Sequence, residues 1–111
     1  MVKVMIFLSR QPQLTSEAFD QHLREMHVPL VVQLPGLRRL VINRVLPDPS
    51  GASPAWNAVA EDWFDSPEAM QTAMGSPQGQ AVNADGATFL DLSKIQFLMV
   101  QEEDVPLRTS E

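Results

Sequence analysis

Two histidines, His22 and His27, lie five residues apart in the segment FDQHLREMHVPL. An imidazole titrates near neutral pH, so either side chain could accept a proton from a carbon acid or a phenol, or donate one. Two histidines at this spacing do not chelate one metal ion from a regular helix as a pair four residues apart can. The segment therefore indicates acid/base chemistry, and we expect no bound metal.

The segment that carries both histidines has the apolar spacing of an amphipathic helix. Apolar residues and histidines recur at 19, 22, 23, 26, 27, 30, 31 and 34, which predicts one buried stripe of a helix. Thr15 is a suitable N-cap, and Gly36 suits the left-handed position that ends a helix. His27 lies well inside the stripe, whereas His22 lies at its margin and is expected at the rim of a site.

Pro29 interrupts this helix two residues after His27. It has no N–H to donate to the carbonyl of Glu25, and it disfavours helical geometry at Val28. The helix should therefore kink or loosen beside His27 and open local space there. Either His27 faces an apolar pocket as acid or base, or it is a buried neutral histidine that donates to a backbone carbonyl such as that of Glu25.

The strand predicted from the segment WNAVAEDWF carries small and acidic residues on one side. Ala58, Ala60 and Asp62 alternate along it, and alternate side chains of a strand share a face. The two alanines would leave space above the sheet for a ligand, and Asp62 would orient a histidine or a substrate hydroxyl. In the alternative, Asp62 forms a salt bridge with Arg38 or Arg44 across the hairpin.

The preceding predicted strand, LRRLVINRVL, also carries polar candidates. Arg39 and Asn43 share one of its faces. Asn is uncommon in strands, and Asn43 could hold an oxyanion or enolate oxygen, with Arg39 as a neighbour that binds the ligand. Asn43 could equally satisfy a backbone group at a bulge.

Strands and helices alternate along the chain in the order β-α-β-β-α-β. Two Ser-Pro pairs, at Ser66 and Ser76, have the composition of helix starts, with serine as the N-cap and proline as the first helical residue. This order predicts an α+β fold of the ferredoxin-like type, with an antiparallel sheet and both helices on one face. The predicted strands are 2–9, 37–46, 56–64 and 94–101.

The helices can cover only one face of this sheet, while its strands carry apolar side chains on both faces. Large exposed apolar patches are rare on monomers. We therefore expect the chain to form a homodimer through the open face of the sheet.

The composition excludes several other classes of protein. With 111 residues, eight Lys and Arg and a net charge of −6, the chain is one acidic domain and not a nucleic-acid-binding protein. It has no cysteine, so it forms no disulfide and no zinc–thiolate site. No segment has the apolar length of a membrane span, and we expect a cytoplasmic protein.

Several motifs together resemble the EthD domain. They are the segment FDQHLREMHVPL, the following LPGLRRLVINR, and the later AEDWFDSPEA and SPQGQAVNAD. The resemblance covers 1–101 and leaves 102–111 as a polar tail. It implies a dimeric α/β barrel, in which two ferredoxin-like sheets pack face to face and a pocket lies between the sheet and the helices of one subunit.

The resemblance also draws attention to three further positions. Asp85 and Asp91 match acidic positions of the family pattern, although helix capping and loop structure explain them equally well. Family members commonly have an aromatic residue, often Trp, where this chain has Leu23. That difference would reshape the space above the sheet.

The residues and the resemblance together predict an enzyme without a bound cofactor that acts on an aromatic, polyketide-like or lactone compound. The reaction would be isomerisation, cyclisation or dehydration, with His27 as acid or base and Asp62 or Asn43 orienting it or stabilising charge. Three alternatives stay open: oxygenation without a cofactor, haem binding with His27 as axial ligand, and a non-catalytic accessory role beside an oxygenase system. The expected ligand-binding residues are His22, Arg39, Ala58 and Ala60.

Overall fold

Four strands form one antiparallel sheet in the computed structural model, which describes residues 1–108. The strands are β1 (Val2–Leu8), β2 (Arg39–Arg44), β3 (Ala58–Phe64) and β4 (Gln96–Val100). Their order across the sheet is β2-β3-β1-β4, so β3 lies between the two strands that flank the first helical region in sequence. This topology confirms the predicted ferredoxin-like α+β fold, although every strand is shorter than predicted.

The first helical region consists of three consecutive pieces. They are α1 (Ser16–His22), a π-helical turn (Leu23–His27) and α2 (Val28–Val31). Thr15 caps α1 as predicted, because its hydroxyl accepts the N–H of Ala18. Gly36 follows with a φ of 80°, the left-handed conformation that glycine adopts without strain.

The second helical region contains α3 (Pro67–Gly75) and α4 (Pro77–Phe89). Ser66 and Ser76 cap the two helices, as predicted from the Ser-Pro pairs. The helices cross closely at Gly79, where a Cβ atom would collide with the backbone carbonyls of Ala73 and Met74. This close crossing fixes the position of α4 above the sheet.

The strand register decides which side chains face the helices. Val4 of β1 pairs with Asp62 of β3, and Asp62 pairs with Leu40 of β2, so these three side chains lie on the helix-covered face. The alternate residues, such as Lys3 and Trp63, lie on the open face of the sheet.

The apolar core divides into two clusters. One surrounds Phe19 and Phe89, and the other surrounds Val31 and Phe64. Ile6, on the central strand β1, packs against both clusters. The helices are thus anchored at two places and leave room between them.

The described part of the tail, 101–108, adds no further element to this fold. Residues 101–108 form no helix or strand and are exposed, although Glu102 accepts a hydrogen bond from the indole N–H of Trp63. The last part of the predicted polar tail, 109–111, lies outside the described residues. Across 1–108, no helix is long and apolar enough to cross a membrane.

Candidate active site

A cavity of about 410 Å³ lies between the helices and the sheet, where the two core clusters meet. Pockets of this size hold drug-sized small molecules. Of the described residues that line it, three have polar side chains: His27 on the helix side, Asp62 on the sheet side and Asn83 on α4. The other lining residues are apolar or glycine, and two of them, Leu92 and Phe97, are strongly exposed and lie at the mouth of the cavity.

His27 reaches the cavity from the π-helical turn. The N–H of Val28 bonds to the carbonyl of Leu23, a wider turn than that of an α-helix. Pro29 follows immediately and offers no N–H to the carbonyl of Glu25, which agrees with the predicted loosening beside His27. The imidazole is buried, with 8% exposure, and it lines the cavity.

Asp85 of α4 joins the two histidines. Its Oδ2 atom lies 2.9 Å from Nδ1 of His27, and both of its carboxylate oxygens lie 3.0 Å from Nε2 of His22. An ionised carboxylate only accepts hydrogen bonds, so each imidazole carries a proton on the nitrogen that faces Asp85. A neutral His27 therefore keeps the lone pair of its Nε2 atom free to accept a proton.

This geometry rejects the alternative in which His27 donates to a backbone carbonyl, because its Nδ1–H is bonded to Asp85. It also changes the interpretation of His22. His22 is expected from the sequence to bind the ligand, but it does not line the cavity. Instead it contacts Asp85 from the more exposed side, and its side chain is partly open to solvent.

Aromatic packing holds the histidine pair in place. The ring of Phe89 lies 4.3 Å from the ring of His22 and 5.1 Å from that of His27, centroid to centroid. Gly86, one turn before the end of α4, lies beside the imidazole, since a Cβ atom there would be 3.9 Å from Cε1 of His27, an ordinary van der Waals distance. Water is thus largely kept away from one side of the pair.

Burial lowers the pKa of His27 below its ordinary value, because a desolvated imidazolium is unfavourable. The hydrogen bond to Asp85 and its negative charge oppose this change without reversing it. The fold therefore favours the neutral form of His27, which is the form that can act as a base.

Asp62 is the other ionisable group of the cavity. Its side chain is buried, and its Oδ1 atom has no hydrogen-bond partner within residues 1–108. Desolvation raises the pKa of Asp62 to about 6. The alternative of a salt bridge from Asp62 is wrong, because Arg38 pairs with Asp65 and Arg44 pairs with Asp20.

Asn43 and Arg39 lie on the opposite face of the sheet from His27, so the prediction that they share its site is wrong. Asn43 pairs with Val59 in the register and donates to the Glu61 carboxylate on the open face. The guanidinium of Arg39 lies 4.5 Å above the ring of Trp63, also on the open face. The long connection between β2 and β3 left this register undetermined by the sequence.

The two alanines predicted to line the site differ in their position relative to the cavity. Ala60 lines the cavity, as predicted, whereas Ala58 packs in the core cluster around Phe19 and does not line it. Leu23, at the position where an aromatic residue is common in the family pattern, is buried and lines the cavity.

Sequence reasoning undervalued Asp85 and missed Asn83 and Gly86. The sequence explains Asp85 equally well as a helix-capping residue, yet its carboxylate contacts both histidines. The available signal was its acidic match to the family pattern combined with its place on a helix that packs beside the histidines. Asp91 does serve the loop, because its carboxylate accepts hydrogen bonds from Ser93.

The sheet topology and the cavity define a ferredoxin-like α+β protein with a site for a small molecule between helices and sheet. An EthD domain model matches residues 11–93. An 11.0 kDa protein encoded in the thcB-thcC intergenic region of Rhodococcus erythropolis is 35% identical over 88 residues, covering 79% of this chain and 84% of that protein. The chain belongs to the EthD family.

Solved structures agree with this assignment. An EthD family protein from Bacillus halodurans is 30% identical, with a TM-score of 0.78 over 93% of this chain and 100% of that one. A dimeric protein of ferredoxin-like fold from Bacteroides fragilis, 13% identical, gives a TM-score of 0.68 over 91% of this chain and 95% of that one. The second likeness supports the fold alone.

Proposed function

We propose that this protein binds an apolar small molecule in the cavity and catalyses proton transfer on it, with His27 as the base and Asp62 as the acid. One observation carries the proposal: these two side chains line the same largely apolar cavity, one on the helix side and the other on the sheet side. A ligand held between them is within reach of both groups.

The two environments favour complementary protonation states. Burial lowers the pKa of His27, so the imidazole is held neutral, and burial raises the pKa of Asp62 to about 6, so the carboxyl retains its proton closer to neutrality. Ionisable groups whose environments favour opposite proton states are the usual basis for assigning an acid and a base. Asp85 would stabilise the imidazolium that forms when His27 accepts a proton.

A ketone or an equivalent carbonyl compound fits this pair. Nε2 of His27 would remove a proton from the carbon next to the carbonyl, while the carboxyl of Asp62 donates its proton to the carbonyl oxygen. With a β,γ-unsaturated ketone, return of the proton from His27 to the γ-carbon of the dienol shifts the double bond and completes an isomerisation. With a β-hydroxy ketone, delivery of that proton to the departing hydroxyl group releases water and completes a dehydration, and in both cases Asp62 recovers its proton from the enol oxygen.

The test is proton exchange at carbon. Purified protein is incubated with β-tetralone and a panel of other apolar cyclic ketones in deuterium oxide, and loss of the proton signals next to the carbonyl is followed by NMR. We expect faster exchange with the wild type and no acceleration with His27→Gln. Asp48→Asn, in the exposed connection between β2 and β3, none of whose residues lines the cavity, is the matched control and should behave as wild type.

Two results of this experiment would reject the proposal. One is equal acceleration by the wild type and His27→Gln, which would show that His27 is not the base. The other is the absence of any accelerated exchange by the wild type. Oxygen consumption by the same protein when quinols are supplied, measured with an oxygen electrode in parallel samples, would then favour the oxygenation alternative.

We also propose that the protein is a homodimer that pairs through the open face of the sheet. Met5 and Phe7 of β1 are half-buried on that face, and Leu98 of β4, which pairs with Met5, is 49% exposed there. The dimeric state described for the Bacteroides fragilis protein of the same fold supports this arrangement. Light scattering should give twice the chain mass for the wild type and the single chain mass for Leu98→Asp.

A further inference from the structure

We infer that the cavity selects an uncharged ligand and that Asp62 recognises it through a carbonyl oxygen. This inference rests on the proposed function, since it names the class of substrate on which His27 and Asp62 would act. It also narrows the aromatic, polyketide-like or lactone compounds expected from the sequence, because it excludes members that carry a carboxylate or a phosphate.

The charges of the lining residues support the selection of an uncharged ligand. Among the described residues, the cavity is lined by no lysine and no arginine, and His27 and Asp62 are its only ionisable side chains. A bound carboxylate or phosphate would lose its hydration without gaining a permanent cation, because burial favours the neutral form of His27. It would also meet the negative charge of an ionised Asp62, and juxtaposed like charges repel one another. Both the lost hydration and the repulsion by Asp62 therefore disfavour the binding of anionic ligands.

The burial of Asp62 and its unpaired Oδ1 atom support a polar contact between this residue and the ligand. The residue is 5% exposed, and its Oδ1 atom has no partner within the described part of the chain. Its neighbours across the strands, Val4 and Leu40, have apolar side chains. Buried polar atoms are almost always hydrogen-bonded, so a polar atom of a ligand fits the position beside Oδ1.

A carbonyl oxygen is the partner that matches a protonated carboxyl. When an apolar ligand displaces water from the cavity, ionisation of Asp62 becomes still less favourable, and the carboxyl then donates its proton to the ligand. Within 1–108, His27 is the one other ionisable group on the cavity wall, with Asp85 and His22 behind it. Above the pKa of Asp62, binding of a ketone should therefore take up a proton from solution.

Four probes with one bicyclic skeleton test this inference: tetralin, β-tetralone, β-tetralol and tetralin-β-carboxylate. Binding to the full chain is measured by titration calorimetry at about pH 7 in two buffers of different ionisation enthalpy. We expect β-tetralone to bind about tenfold more tightly than tetralin and to take up a proton. The carboxylate should bind at least about a hundredfold more weakly than the ketone.

Variants at Asp62 sharpen the test. Asp62→Asn removes the negative charge, so the carboxylate probe should gain affinity and the ketone should bind without proton uptake. Asp62→Leu should abolish the preference for β-tetralone over tetralin. Asp65→Asn, an exposed aspartate beyond the end of β3, is the matched control and should bind as wild type. Should a variant fail to fold, binding of the four probes to the wild type still tests the inference.

Several outcomes would overturn the inference. The inference fails if the wild type binds tetralin-β-carboxylate as tightly as β-tetralone. It also fails if β-tetralone binds without proton uptake. Stronger binding of β-tetralol than of β-tetralone, again without proton uptake, would show that Asp62 accepts a hydroxyl instead. Ketone binding with proton uptake but without carbon–deuterium exchange would support the inference and reject the proposed chemistry, so the two failures are distinguishable.

Discussion

His27 donates its Nδ1–H to the Oδ2 atom of Asp85 over a distance of 2.9 Å. The two residues come from different helical regions, the π-helical turn and α4, and their contact places the imidazole against the cavity wall. Asp85 also accepts the Nε2–H of His22. Asp85 therefore orients His27, the proposed base, and His22 in turn holds the Asp85 carboxylate in place.

Replacing Asp85 with Asn should reduce catalysis strongly while leaving ligand binding nearly unchanged. The amide removes the negative charge that would stabilise protonated His27, and it can bond the imidazole in the wrong tautomer. Loss of the carboxylate in comparable acid–histidine pairs lowers kcat by about 10⁴-fold, and we expect a reduction of at least about a hundredfold here. Deuterium exchange of β-tetralone gives the rate, and calorimetry gives the affinity.

The His22→Gln variant serves as the comparison for this experiment, because a glutamine can still donate an N–H to Asp85. It should retain most of the activity that Asp85→Asn loses. Equal activity of Asp85→Asn and the wild type would show that the contact between Asp85 and His27 is structural only.

The rate of the proposed reaction should have a maximum in the mildly acidic range. His27 must be neutral to act as a base, so the rate falls as the pH drops below its lowered pKa. Asp62 must be protonated to act as an acid, so the rate also falls as the pH rises above about 6. A pH series of the exchange rate checks this, and the alkaline limb should disappear in Asp62→Asn.

Asp62→Asn should stabilise the protein at neutral pH. The carboxyl has a pKa of 3.8 as an ordinary aspartate and about 6 in the fold, so the folded state binds the proton more tightly. Its ionisation therefore lowers the free energy of unfolding progressively as the pH rises from about 4 to about 6, and the loss is complete above that. The difference between the two pKa values corresponds to about 3 kcal/mol.

Urea denaturation of the wild type and Asp62→Asn at equal protein concentration measures this effect. The variant should be more stable by about 1–3 kcal/mol at about pH 8 and about equal at about pH 4, since an unpaired buried amide also has a cost. A variant that is less stable than the wild type at the higher pH would contradict the assignment of a destabilising carboxylate.

Two glycines of α4 should differ in their tolerance of replacement by alanine. At Gly79 the added Cβ would collide with the carbonyls of Ala73 and Met74, whereas at Gly86 its closest neighbours are side-chain atoms of Leu90, at 3.4 Å, and His27, at 3.9 Å. Gly86→Ala should change stability by less than about 1 kcal/mol in either direction, because alanine favours a helix. Gly79→Ala should destabilise by about 2 kcal/mol or more.

Thermal unfolding of the two variants tests this contrast. Equal melting temperatures for Gly79→Ala and the wild type would show that α3 and α4 do not cross as tightly as described. Gly86→Ala also serves as the control for an added methyl group in the same helix.

The order of elements and the general position of His27 could be predicted from the sequence because both depend on local patterns. The apolar stripe, Pro29 and the helix caps lie close together in the chain, and alternation along β3 placed Asp62 and Ala60 on one face. These features follow from side-chain periodicity and backbone chemistry alone.

The contacts between distant segments could not be predicted in the same way. Asn43 lies on the face opposite Asp62 because of the register between β2 and β3, and a one-residue change of register would have reversed it. The contact of Asp85 with His27 joins residues 58 positions apart, and no local pattern in the sequence encodes it.

The mouth of the cavity has a kinetic consequence. Leu92 and Phe97 line it and are both 59% exposed, so a small molecule can arrive and depart without any strand or helix separating. Residence times should then be short and occupancy should follow the free concentration of the compound closely.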